Sequence, residues 1–174
     1  MDKPKPVADK KTLVAEQLHV RPWDDPILKN LGIDARSPYV EQYWLSILGP
    51  STLLLLRRLC TGLEHQPEGY SLVSAELSAA MGLGSKGGIN SPFWRSVSRL
   101  CRFRMAHRSG EILQVHQKIP PLTRTQAERL PSHLQRAHEN WTLHHRPGRV
   151  GPQPVPTPPN VAIKENSDSH PKAA

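Results

Sequence analysis

The sequence predicts a mainly α fold with a small β-hairpin, extended by additional N- and C-terminal helices and by a disordered tail at each end. Three observations predict it. Apolar residues recur at helical spacing in several segments between 38 and 144. A hairpin signal, MAHR then Ser109-Gly110 then EILQVHQKI, interrupts them. The chain of 174 residues holds 18 prolines and only 37% hydrophobic residues, too few for a core that runs its whole length. The division that follows is a flexible arm over 1–34, one domain over 35–145 and a proline-rich tail over 146–174.

The N-terminus, MDKPKPVADKK, is polar and lysine-rich, which predicts a flexible segment. Within the rest of the arm, LVAEQL has the composition of a short helix and RPWDDPILKNLG reads as irregular. Trp23, Ile27 and Leu31 are its apolar anchors. The domain opens at Ser37-Pro38, a capping residue followed by proline at the first helical position. Val40, Tyr43, Trp44, Ile47 and Leu48 then share one helix face, and Gly49-Pro50 ends that helix and starts the next. Leu53, Leu55, Leu56, Leu59, Cys60 and Leu63 form a broad buried face there, with Leu54 on the side of Arg57 and Arg58.

YSLV at 70–73 predicts a short strand. Ser74 is read as the cap of a helix with Leu77, Ala80 and Met81 inward. GLGSKGGIN is a glycine-rich turn, and Ser91-Pro92 repeats the cap-plus-proline start. The helix it opens buries Phe93, Val97, Leu100 and Cys101. In the hairpin, a Ser109-Gly110 turn sets Ala106 opposite Leu113, both inward with Val115. Residues 123–144 are helical again, opened by Thr123 and interrupted at Pro131. Seven prolines in 147–174 and few large apolar side chains predict that the tail stays unfolded and partly extended.

Charge narrows the partners. The net charge is +8, which favours polyanions, nucleic acid first and anionic membranes second. From Leu77 through Gly110 there is no Asp or Glu, while Lys86, Arg95, Arg99, Arg102, Arg104 and Arg108 fall inside. Arg95, Arg99 and Arg102 are spaced i, i+4, i+7 and stack like charges on one helix face, opposite Phe93, Val97 and Leu100. A phosphate backbone would relieve that repulsion. No apolar run approaches the roughly 20 residues of a membrane span. The charged N-terminus does not read as a secretory leader, so reduced thiols at Cys60 and Cys101 are expected.

The order helix, strand, helix, turn, helix, hairpin over residues 38–119 resembles the winged helix-turn-helix superfamily. The resemblance rests on order and patterning, and the turn GLGSKGGIN is longer than the family's usual three or four residues. It implies that 74–81 is the supporting helix, 91–104 the helix laid in the DNA major groove, and 105–118 the wing. The expected DNA-binding residues are then Lys86, Asn90, Ser91, Arg95, Ser96, Arg99, Arg102 and Arg108. The reading that follows is a DNA-binding protein, a bacterial transcriptional regulator in the cytoplasm at the nucleoid, with double-stranded DNA as partner. The rival reading is a winged-helix adaptor that binds another protein.

Other chemistry is weaker. Gly82-Leu83-Gly84-Ser85-Lys86-Gly87 fits G-x-G-x-x-G, but a helix precedes it where a strand is required. Nine histidines raise the question of a metal, yet His133, His138, His144 and His145 lack the i, i+3 or i, i+4 spacing of a helical site. No nucleophile elbow or paired carboxylate appears, so neither an enzyme nor a cofactor is expected. Ala127, Leu130, Leu134, Ala137 and Trp141 follow a 3, 4, 3, 4 seam. Packing onto 38–63 is the favoured use of that seam; a homodimer through 50–63 and 123–144 is the other.

Overall fold

The computed structural model describes residues 17–84, 88 and 90–145. Its elements run β1 (Gln17–Pro22), α1 (Pro26–Leu31), β2 (Ile33–Asp34), a π-helical turn (Val40–Trp44) passing into α2 (Leu45–Leu48), and α3 (Pro50–His65). Then come β3 (Tyr70–Val73), α4 (Ser74–Ala80), α5 (Pro92–Arg102), β4 (Ala106–Ser109), β5 (Ile112–Val115), β6 (Lys118–Ile119), α6 (Arg124–Ala127) and α7 (Ser132–His144). The molecule is mainly helical, as the sequence predicts, but its β-structure is larger than one hairpin. Four strands form a mixed sheet in the order β3-β1-β5-β4, and β2 pairs with β6.

The largest difference from the sequence reading lies in residues 17–34. The reading gave them to a flexible arm, yet β1 is an inner strand. It runs antiparallel to β3 and parallel to β5, with Val20 opposite Tyr70 on one side and Leu113 on the other. Leu18 and Val20 alternate into the core and are fully buried. Trp23 continues the ladder through its N–H to Val115 O (2.9 Å) and stacks on His116, ring centroids 4.1 Å apart. Ile27 and Leu31, expected as anchors, are instead 68% and 64% exposed. The expected arm over 1–16 and tail over 146–174 lie outside the described residues.

Helix α3 is the centre of the core. It packs on α5 and against β1 and β5, burying Leu53, Leu55, Leu56, Leu59, Cys60 and Leu63, while Leu54 faces out as its place beside the arginines predicts. Gly62 has a specific cause: a Cβ there would stand 2.3 Å from the Tyr70 ring, whose hydroxyl donates to Leu59 O. The 123–144 segment breaks before Ser132, as Pro131 predicts. Thr123 and Gln126 close a capping box on α6. Leu130 is buried, and Leu134, Ala137 and Trp141 pack on the core, with the Trp141 ring 4.2 Å from Tyr39. That is the packing use of the seam.

Three local expectations change. The hairpin loop is Gly110-Glu111, because Gly110 adopts φ 59°, and Ser109 pairs with Ile112. Ala106 therefore faces Val115, a slip of two residues that keeps Ala106, Leu113 and Val115 on the buried side. Val73, and not Ser74, occupies the capping position of α4. Ser78 takes the buried place expected of Ala80, its hydroxyl donating to Gly84 O.

Candidate nucleic-acid interface

Helix α5 begins where Ser91 Oγ accepts the Trp94 N–H (3.4 Å) and Pro92 enters the first turn. Phe93, Trp94, Ser96, Val97 and Leu100 are buried, so the helix presents one strongly polar face. Arg95, Arg99 and Arg102 are exposed along that face, and Asn90 is exposed just before it.

The arginines are not equivalent. An Arg99 guanidinium N–H donates to Ile47 O (2.8 Å), tying α5 to the carbonyl end of α2. Positive charge at a helix C-terminus is favourable, so Arg99 is partly committed to the fold. The Arg108 guanidinium lies 4.1 Å above the Trp94 ring and its Nε donates to Gly110 O (3.0 Å). That contact latches the hairpin onto α5, adding a cation–π attraction to the covered indole. Arg95 and Arg102 carry the outer charge of the stripe.

Two expected site residues serve the fold. Ser96 is 5% exposed and its hydroxyl donates to Pro92 O (3.0 Å), so it faces inward and away from any DNA on the outer face. The sequence held the signal, since Ser96 precedes Leu100 by four residues on the buried side. Ser91 spends its side-chain oxygen on the cap. Lys86 lies outside the described residues.

Sequence reasoning overlooked the part played by Arg104. It follows α5 in the left-handed region, φ 55°, the non-glycine residue of positive φ among those described. Arg104 N–H donates to Cys101 O (3.0 Å) and Met105 N–H to Leu100 O (2.9 Å), the paired bonds of a Schellman ending, with Met105 buried beside Leu100. Glycine is the usual residue there, and an arginine costs about 1–2 kcal/mol in that conformation. The side chain it gains is exposed and positive, at the junction of α5 and β4.

The acid-free stretch ends at the hairpin tip, where Glu111 stands 4.0 Å from His19. Elsewhere three arginines meet carboxylates: Arg36 bonds Asp34 and Glu64, Arg57 bonds Glu41, and Arg124 bonds Glu128. Cys60 is buried, its Sγ 3.6 Å from His116 O, and burial pushes its thiol up to about 12, far from a reactive thiolate. Among the described residues no three His, Cys, Asp or Glu side chains are grouped to hold a metal ion.

No protein-family model matches the chain, and neither a curated protein nor a solved structure matches it. The chemistry of these residues therefore carries the argument on its own.

Proposed function

We propose that this chain is a DNA-binding protein, a transcriptional regulator of the bacterial cytoplasm and nucleoid, that lays α5 in the major groove and its β4–β5 hairpin along the backbone. The observation that carries the reading is the exposed face of Arg95, Arg99 and Arg102 on α5, set within a run of sequence from Leu77 to Gly110 that has no acidic residue. Arg36 and Arg57 elsewhere on the molecule are paired with carboxylates; this face has no carboxylate in its own sequence. The chain order α3, β3, α4, α5, β4, β5 agrees with the winged-helix resemblance. The interposed strand β1 is a departure from the expected hairpin alone.

Arginine suits both tasks such a surface has, bidentate contact with guanine and neutralisation of phosphate. The strained Arg104 supports the same reading, because a non-glycine residue kept at positive φ favours a use for its side chain. The rival protein-adaptor reading draws on Arg99 and Arg108, both partly spent on contacts within the fold.

The test is binding of labelled duplex DNA at two salt concentrations. About four phosphate contacts predict an affinity lower by roughly a hundredfold at 200 mM than at 50 mM salt. Absence of binding at the lower salt rejects the DNA reading and leaves the adaptor.

A further inference from the structure

At the other end of the molecule a cavity of about 680 Å³ opens between the α1–β2 segment and α6–α7. Leu31, Ile33, Leu122, Ala127, Trp141 and Leu143 line it. The volume is that of a small-molecule site, which commonly spans about 300–1,000 Å³. Part of its apolar lining stands open to solvent. None of the six residues of α1 is buried; Ile27 and Leu31 stand one turn apart in solvent, and Leu143 is 57% exposed.

One polar side chain of the lining is 93% hidden. His138 is 7% exposed, and its Nε2 lies 2.9 Å from the Tyr39 hydroxyl. That hydroxyl already accepts the Leu122 N–H at 2.9 Å. Of the two groups within hydrogen-bond reach of the hydroxyl, only His138 Nε2 can accept its proton, and in that role the neutral imidazole carries its own proton on Nδ1. Among the described residues Nδ1 has no hydrogen-bond partner. Nδ1 is not sealed from solvent, so the open cavity leaves it to water, and a ligand acceptor at Nδ1 would take that water's place. Trp141, stacked on His145 with ring centroids 4.3 Å apart, adds aromatic surface to the same lining.

We propose that this cavity binds an uncharged, mainly apolar molecule that presents one carbonyl or similar oxygen to His138 Nδ1. Charge is disfavoured by the lining itself. Among the described lining residues the Arg124 guanidinium is paired with Glu128 at 3.0 Å and Glu139 adds a second carboxylate, which disfavours an anion. A cation would have to leave water for apolar walls.

The probe that tests this is 6-propionyl-2-(dimethylamino)naphthalene, a neutral naphthalene ketone whose emission moves to shorter wavelength in apolar surroundings and to longer wavelength on accepting a hydrogen bond. Titrated into the full chain, it should bind saturably at one site with blue-shifted emission and quench tryptophan fluorescence. Leu143→Arg, on an exposed residue, and Ala127→Phe, which fills the cavity, should each weaken it at least about fivefold, about 1 kcal/mol. His138→Phe should keep the probe bound with emission shifted further to the blue; unchanged emission overturns the assigned hydrogen bond. Absence of saturable binding, or equal affinity in Leu143→Arg and Ala127→Phe, overturns the site. A dimer that Leu143→Arg dissociates, without probe binding, assigns the cavity to a second copy and overturns it equally.

Discussion

The outer face of α5 and the cavity beside α7 are both left uncovered, for opposite physical reasons. On α5 the core is complete: Phe93, Trp94, Val97 and Leu100 are buried, and what remains outside is uncompensated positive charge. Beside α7 Arg124 is paired with Glu128, and what lines the opening is mainly apolar surface with one buried imidazole. The first face is answered by a polyanion and is weakened by salt. The second is answered by apolar contact, which salt does not screen. Together they teach that an uncovered surface is informative when it departs from the rest of the same molecule, whatever its sign.

The sharpest way to break the comparison is to discharge α5. Arg95→Ala with Arg102→Ala removes the two outer guanidiniums and leaves the Arg99 link to Ile47 in place. If each makes a base contact worth about 1–3 kcal/mol, specific DNA affinity should fall by roughly 30-fold to 10,000-fold. Circular dichroism and probe binding at the cavity should be unchanged, because neither side chain is buried. A double variant that still distinguishes matched from scrambled DNA removes α5 as the reading element.

Acid should separate the two ends from the other side. Burial pushes the pKa of His138 down from the usual histidine value, against the smaller opposing effect of Glu139; burial likewise depresses His116 despite its bond to Trp23 O. In both, the folded state holds the proton less tightly than the unfolded chain. Stability is therefore full above the unfolded pKa near 6.5 and is lost as the pH falls through the lower folded values. The melting temperature should drop between pH 7 and pH 5, and the drop should shrink in His138→Phe. An unchanged melting temperature would show that these imidazoles are as free to charge in the fold as outside it.

A smaller effect sharpens the account of α5. Arg104→Gly removes a side chain from a left-handed position and should raise stability by about 0.5–1 kcal/mol. On the DNA reading the same change weakens binding, so melting temperature and affinity should move in opposite senses. If both rise, Arg104 has no part in the interface. The smallest effect expected is from deleting residues 147–174. Seven prolines and few large apolar side chains leave that segment little surface to bury, so the melting temperature should stay nearly constant.

What the sequence made legible was local. Ser91-Pro92 fixed the start of α5, the 3.6-residue period fixed Phe93, Val97 and Leu100 as its inner side, and Pro131 marked the break between α6 and α7. What it hid depends on distant partners. In β1 only Leu18 and Val20 report the two-residue period, and the preceding LVAEQ pulls the reading toward a helix; its strand character comes from β3 and β5. The hairpin register turned on whether Ser109 or Gly110 opened the loop, which the positive φ of Gly110 decides. Within the candidate interface, charge alone could not reveal that Arg99 reaches Ile47 O or that Arg108 covers Trp94. The cavity lies between segments far apart in sequence, so no motif announced it.

The place of β1 between β3 and β5 also sets an order of assembly. His19 meets Ser71 on one side, but Ile112, its partner on the other, lies about 90 residues later in the chain. A ribosome adds about 5–20 residues per second, so β1 emerges roughly 5–20 s before the strand that completes its pairing. The β4–β5 hairpin can close within microseconds once made, whereas docking it against β1 requires closure of a long loop. During synthesis Leu18 and Val20 thus wait on a half-built sheet, and the first strand described is among the last to be locked in place.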